Sequence, residues 1–157
     1  QGLGGYAHAD RRLGARLAAA VGSIPAVRGV AFGVGFEAAA RSGRQMHDAI
    51  LDVDGRRGSN RAGGLEGGMT NGMPLVVRAA VKPLAMVAGG MDSVDLASGE
   101  RASGFGERTD TTAVPAAAVV AEAMVCLVLA DALLEKFGGD TLEQLRRHLA
   151  ATGHRFS

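Results

Sequence analysis

The chain has 157 residues, with 17 Lys and Arg against 16 Asp and Glu and a formal net charge of +1, so it lacks the cationic excess of a nucleic-acid surface. Its single cysteine, Cys126, excludes an internal disulfide, is compatible with a reducing cytoplasm, and reads within its apolar run as a structural thiol. One tyrosine, five phenylalanines, no tryptophan and 24 glycines favour close backbone packing over a bulky aromatic core. The length suits a single domain, 1–157, that buries roughly 68–70% of its unfolded surface.

Residues 1–12, QGLGGYAHADRR, do not show the basic-then-apolar pattern of a secretory signal. His8 and Asp10 stand two apart and read as a surface loop pair. Asp10 is an N-cap type, and Leu13, Leu17 and Ala20 or Val21 recur at helical spacing, predicting about three turns that stop at Gly22. Pro25 ends that pattern. A short strand is predicted over 27–32, punctuated by Gly29, Gly33 and Gly35. Residues 37–44 form a polar connection with a helical turn, and His47 after it reads as a surface residue. Asp52, Asp54 and Gly55 make an acidic turn; a calcium loop starting at Asp52 would need a closing Glu where Gly63 stands.

The most informative stretch is residues 59–83, SNRAGGLEGGMTNGMPLVVRAAVKP. Two doublets, Gly63-Gly64 and Gly67-Gly68, precede Asn71-Gly72. Such a run costs chain entropy that a ligand would offset, and successive exposed N–H groups suit a phosphate-bearing one. A mobile loop followed by a hairpin turn is the alternative on composition alone. After Pro74 the period changes to two, which puts Leu75, Val77, Ala79 and Val81 on one face and Arg78 and Lys82 on the other. Pro83 ends the strand or brings it to an edge.

Further on, 94–96 and 101–105 flank 97–100 as a hairpin. Arg108-Thr109-Asp110 would by itself be a surface ion pair. Pro115 opens a helix of about 21 residues, some 32 Å, that runs from Ala116 to the stop at Gly138-Gly139. Its apolar interior suits a bilayer, but Glu122 interrupts it and Asp131, Glu135 and Lys136 follow, so no membrane is expected. A central helix packed against sheets on both sides is expected instead. Asp140 and Glu143 form a box-like start for a last helix, with Leu142, Leu145 and Leu149 on its inner stripe and Arg146, Arg147 and His148 suiting the dipole at its end.

The run Asn60-Arg61-Ala62-Gly63-Gly64, Glu66-Gly67-Gly68, Thr70-Asn71-Gly72, Pro74 and Lys82-Pro83 resembles the flavin-binding region of the chorismate synthase family; the opening GLG…H-DR-L-ARL segment resembles a central segment of the same family, and the Arg-x-Asp core its RSD or RHD motif. The resemblance implies an α+β fold, antiparallel sheets packed around long helices, with this chain corresponding to the C-terminal part and lacking an N-terminal portion. It implies a lyase that converts 5-enolpyruvylshikimate 3-phosphate to chorismate by 1,4-elimination of phosphate, using reduced FMN without net redox change, in a cytoplasmic homotetramer. By the same resemblance Pro25, Ala26, Gly67, Lys82, Pro83, Leu84, Ala85, Met86 and Arg108 bind FMN, Asp110 handles protons beside it, and Arg61 contacts substrate or flavin. No metal is implied. Leu84-Ala85-Met86 replaces the hydroxyl residues usual after Lys-Pro, and Met73 replaces a common Gln. The family's GESHG segment and second histidine have no counterpart among His8, His47, His148 and His154. A non-catalytic folding or oligomerisation module, or a general phosphate-binding module, is therefore the rival reading. An NADP-linked flavin reductase function is left open.

Overall fold

The computed structural model describes residues 1–85, 87, 89–104, 106 and 112–152. Met86, Arg108 and Asp110, three of the expected site residues, lie outside that set. The elements are α1 (Leu13–Gly22), β1 (Val27–Phe32), α2 (Gly43–Met46), β2 (Leu65–Glu66), β3 (Met69–Thr70), β4 (Val77–Val81), β5 (Asp92–Val94), β6 (Arg101–Ser103), α3 (Val114–Phe137) and α4 (Leu142–Ala151). Three antiparallel pairs, β1 with β4, β2 with β3 and β5 with β6, accompany the helices, giving the α+β architecture expected.

α1 is the keel. Leu13, Leu17 and Val21, four residues apart, are fully buried, so the spacing in the sequence becomes one continuous inner stripe. Leu13 and Leu17 pack with Ala132 of α3, while Val21 joins Ile24 and Val27 beneath Val77 and Val81 of β4 and Met124 of α3. α1 and α3 therefore run antiparallel, with α1 held between the β1–β4 ladder and α3. Arg11 and Arg16 fasten the same end by ion pairs to Glu135 and Asp131. Such exposed pairs are worth at most about 1 kcal/mol each, against about 1.5–3 kcal/mol for each fully buried Leu or Val, so packing sets the arrangement.

Two caps differ from expectation. Asp10 lies in a 3-10 turn, Ala9–Arg11, and Arg12 precedes α1 without a side-chain cap. Leu13 N–H instead bonds the Gly68 carbonyl at 2.8 Å, so a tertiary contact does the work of the cap. At α4 the cap is Thr141 with Gln144, one residue beyond Asp140 and Glu143, because Thr141 Oγ1 accepts from Gln144 N–H while Gln144 Oε1 accepts from Thr141 N–H.

α3 departs most. It extends three residues beyond the expected length, with Pro115 in its first turn and Gly138 at φ +62° closing it. Only one stripe is covered, however, and Val119, Val120, Cys126, Leu127 and Leu134 are exposed. By length and composition α3 could also cross a membrane; one stripe of it packs on α1, and its last turns carry Asp131 and Glu135 in ion pairs with Arg16 and Arg11. An apolar groove of about 320 Å³ lies between α3 and the inner face of β4, lined by Leu75, Val77, Ala79, Val81, Ala118 and Glu122.

The turn from α1 into β1 carries a local cost. Val27 N–H bonds the Ile24 carbonyl at 3.1 Å, with Pro25 and Ala26 between them and Ala26 at φ +72°. Pro then a positive φ is the pattern of a type II turn, whose second central position favours Gly. Ala26→Gly is expected to raise stability by about 0.5–1 kcal/mol, the left-handed penalty of Ala less the entropy that Gly loses on folding. A lower urea midpoint for that variant would contradict the turn.

Candidate functional site

The glycine-rich run is stitched by hydrogen bonds along its length. Asn60 organises its first turn: its carbonyl accepts from Gly63 N–H, its Oδ1 accepts from Gly64 N–H at 2.8 Å, and its Nδ2 donates to the Pro74 carbonyl at 2.8 Å. Gly63 then meets Gly33 backbone to backbone, so tightly that a Cβ on Gly63 would lie 2.2 Å from Gly33 N. Gly67 and Gly68, at φ +59° and +90°, form the two-residue turn that joins β2 to β3. A Cβ on Gly68 would collide with the Gly5 carbonyl, whereas one on Gly67 would meet nothing within 4 Å. Close packing thus accounts for Gly63 and Gly68, and Gly67 alone among these three opens to space that a ligand can enter.

A buried carboxylate underlies this run. Asp48, which follows the end of α2, is 8% exposed and accepts from the Ser59 hydroxyl, from Arg61 N–H at 2.9 Å and from Ala62 N–H at 2.9 Å. Burial alone would push its carboxyl up; the Ala62 N–H, the Ser59 hydroxyl, the Arg61 N–H and the Arg61 charge outweigh that and hold it below the usual carboxylate value. Sequence reasoning passed over Asp48 and considered its neighbour His47, which is exposed. Its signal was faint: an Asp eleven residues before a Ser-Asn-Arg turn has no recognisable local spacing. Arg61 is half-buried and donates through Nη1 to Ser59 Oγ at 3.0 Å and to the His47 carbonyl at 3.4 Å.

The expected flavin residues among those described fall into two groups. Arg61 and Gly67 sit near the start of α1, where Gly68 bonds Leu13. Pro25, Ala26 and Lys82 meet at its far end, where Lys82 N–H donates to the Ala26 carbonyl at 2.8 Å. The length of α1, roughly 15 Å for ten residues, separates them. Pro83, Leu84 and Ala85 follow Lys82 directly. β4 has the predicted alternation, with Leu75, Val77, Ala79 and Val81 toward the α3 groove and Arg78 in a second groove of about 330 Å³ beside Phe36.

Ala85 borders a small pocket of about 180 Å³ with Gly90, Met91, Ser93 and Gly104 at the base of the β5–β6 hairpin. That hairpin turns where expected, with Asp95 Oδ1 accepting from Ala97 N–H and Ser98 N–H, although its strands are 92–94 and 101–103. Gly104 N–H bonds the Met91 carbonyl at 2.7 Å, and a Cβ on Gly106 would lie 3.3 Å from the Val87 carbonyl. The chain leading to Arg108 is therefore laid against the chain leaving Lys82. Lys82 has no ion-pair partner among the described residues, and the pocket beside Ala85 is lined by Asp92 and Ser93 as well as by Gly90 and Gly104.

A family model described as chorismate synthase matches residues 1–134. The chain is 56% identical over 152 residues to a protein named chorismate synthase from Saccharopolyspora erythraea, covering 94% of this chain and 38% of that one. It is 58% identical over 150 residues to the namesake from Thermobifida fusca, again covering 94% and 38%. A solved structure, described as the crystal structure of chorismate synthase, superposes with a TM-score of 0.77 at 45% identity, covering 96% of this chain and 39% of that one. The chain thus spans about two-fifths of the length of the relatives it matches.

Proposed function

The chain belongs to the chorismate synthase family, and on that premise we propose that it supplies the flavin-holding part of a lyase that eliminates phosphate from 5-enolpyruvylshikimate 3-phosphate to form chorismate. The observation that supports this reading is the contact of Val87 and Met91 with Gly106 and Gly104, which brings the stretch that follows residues 82–86 beside the stretch that precedes Arg108, the residues that the family resemblance gives to FMN. Lys82, the Ala26 turn and the backbone beside Ala85 hold the cofactor's anionic edge. Gly67, a length of α1 away from that edge, leaves room at the opposite end of the site, and Arg108 adds a fixed fork of donors. Reduced FMN supplies, when bound, electron density to a reaction with no net redox change.

Asp110 handles a proton beside that site. That role comes from the Arg-x-Asp match of the family resemblance, and a positioned carboxylate suits it as a general base. Arg61, at the other end of α1, offers positive charge to a phosphorylated ligand. The protein works in the cytoplasm as a homotetramer, in which other copies or the remaining family fold cover α3. Because the chain spans two-fifths of its relatives, a folding or oligomerisation module that holds flavin without turnover is the second reading, and the uncovered face of α3 favours it.

The test separates binding from chemistry in a full-length protein carrying this segment. Asp110→Asn is expected to lower the single-turnover rate while FMN affinity changes by less than about tenfold, or ~1.4 kcal/mol, and Arg108→Ala to weaken FMN binding itself. Anaerobic flavin titration beside single-turnover kinetics reads both. Normal turnover and normal binding in Asp110→Asn would reduce the Arg-x-Asp motif to a structural ion pair.

A further inference from the structure

Arg61 is held from two sides by one carboxylate. Asp48 accepts from the backbone N–H of Arg61 and of Ala62, which fixes the turn that carries the side chain. The same carboxylate accepts a hydrogen bond from the Ser59 hydroxyl, and that hydroxyl oxygen in turn accepts from Arg61 Nη1. The His47 carbonyl completes the hold on Nη1. Among the described residues no hydrogen bond or ion pair reaches Nε or Nη2 of Arg61, so one side of the guanidinium is anchored and the other is free to donate.

The charges fit this division. A buried carboxylate satisfied by three donors is stable as an anion, and it faces the guanidinium across one hydroxyl, without a direct ion pair. A direct pair would neutralise the arginine and occupy the fork of donors that binds oxyanions bidentately. Relay through Ser59 orients the cation and leaves that fork open. Arg57 shows the contrast, because its guanidinium pairs directly with Glu66.

We propose that Asp48 is the positioning residue of Arg61, acting through Ser59 and the 61–62 backbone to present the free side of the guanidinium to an anionic ligand of the glycine-rich cradle. The inference rests on the reading of Arg61 as a ligand contact. Asp48 and Ser59 do not themselves touch the ligand.

The test titrates the 157-residue chain with FMN, and separately with inorganic phosphate, for the unsubstituted protein and for Ser59→Ala, Asp48→Asn, Asp48→Glu, Arg61→Ala and the Ser59→Ala/Arg61→Ala double variant. Ser59→Ala leaves both backbone bonds to Asp48 intact, so it reports on positioning even where Asp48→Asn fails to fold. Ser59→Ala is expected to weaken binding roughly threefold to tenfold, the size of one net hydrogen bond, at an unchanged thermal midpoint. Arg61→Ala should weaken it at least as much, and the double variant no further than Arg61→Ala alone. Asp48→Glu, which keeps the charge, should bind more tightly than Asp48→Asn. A Ser59→Ala chain that binds normally while Arg61→Ala loses affinity overturns the positioning role, as does full additivity in the double variant. Unchanged binding in Arg61→Ala, or no binding of either probe by the unsubstituted chain, overturns the ligand-contact reading of Arg61 and the inference with it.

Discussion

Anaerobic assay of the 157-residue chain with reduced FMN and 5-enolpyruvylshikimate 3-phosphate is expected to give no measurable chorismate. The family's two histidine motifs have no counterpart in the sequence, and a positioned acid or base supplies about 10²–10⁴-fold each, so losing two costs roughly 10⁴–10⁸ in rate. Among the described residues, no histidine stands in for them. His8 and His47 are exposed on separate loops, and His148 Nδ1 is engaged with the Phe137 carbonyl at 2.6 Å where it helps close α3. Chorismate formation by the chain alone, at a rate the full-length relatives would show, would mean that the chemistry resides wholly within this two-fifths of the family length.

The second large effect concerns α3. Val120 and Leu127 stand seven residues apart on its outer face at 47% and 65% exposure, beside Val119 and Leu134. A helix that is apolar on every side is normally covered on every side, because each large side chain gains about 1.5–3 kcal/mol on leaving water. The chain is therefore expected to self-associate. Val120→Lys with Leu127→Lys should weaken that association by about 10²–10⁴-fold, the equivalent of two such side chains, while circular dichroism stays helical. Sedimentation velocity across a wide concentration range reads the outcome. A strictly monomeric unsubstituted chain, or a double variant that associates as before, would show that the outer face needs no cover.

The elements most legible in the sequence were those whose cause is local. The α1 stripe, the two-residue alternation of β4, the Pro25 break and the Gly138 stop each follow from periodicity or from a residue with restricted dihedrals, and all are present. The family was legible for a related reason: the run from Asn60 to Pro83 keeps many residue types in fixed order, and the comparisons extend that likeness over residues 1–134.

What tertiary structure alone decided concerns partners distant in sequence. Leu13 takes its cap from Gly68, fifty-five positions away, and Asp10 lies in the preceding 3-10 turn. Asp48 earns its place only because the fold brings the 59–62 turn to it, and burial with three donors then makes an unremarkable Asp the anchor of the glycine-rich run. The glycines themselves divide by environment: Gly63 by backbone crowding at Gly33, Gly67 by open space. Composition determined that α3 must be a long apolar helix, since Ala, Val and Leu without an internal break allow little else. Which of its faces is covered depends on neighbouring surface, and that is a property of the assembled fold.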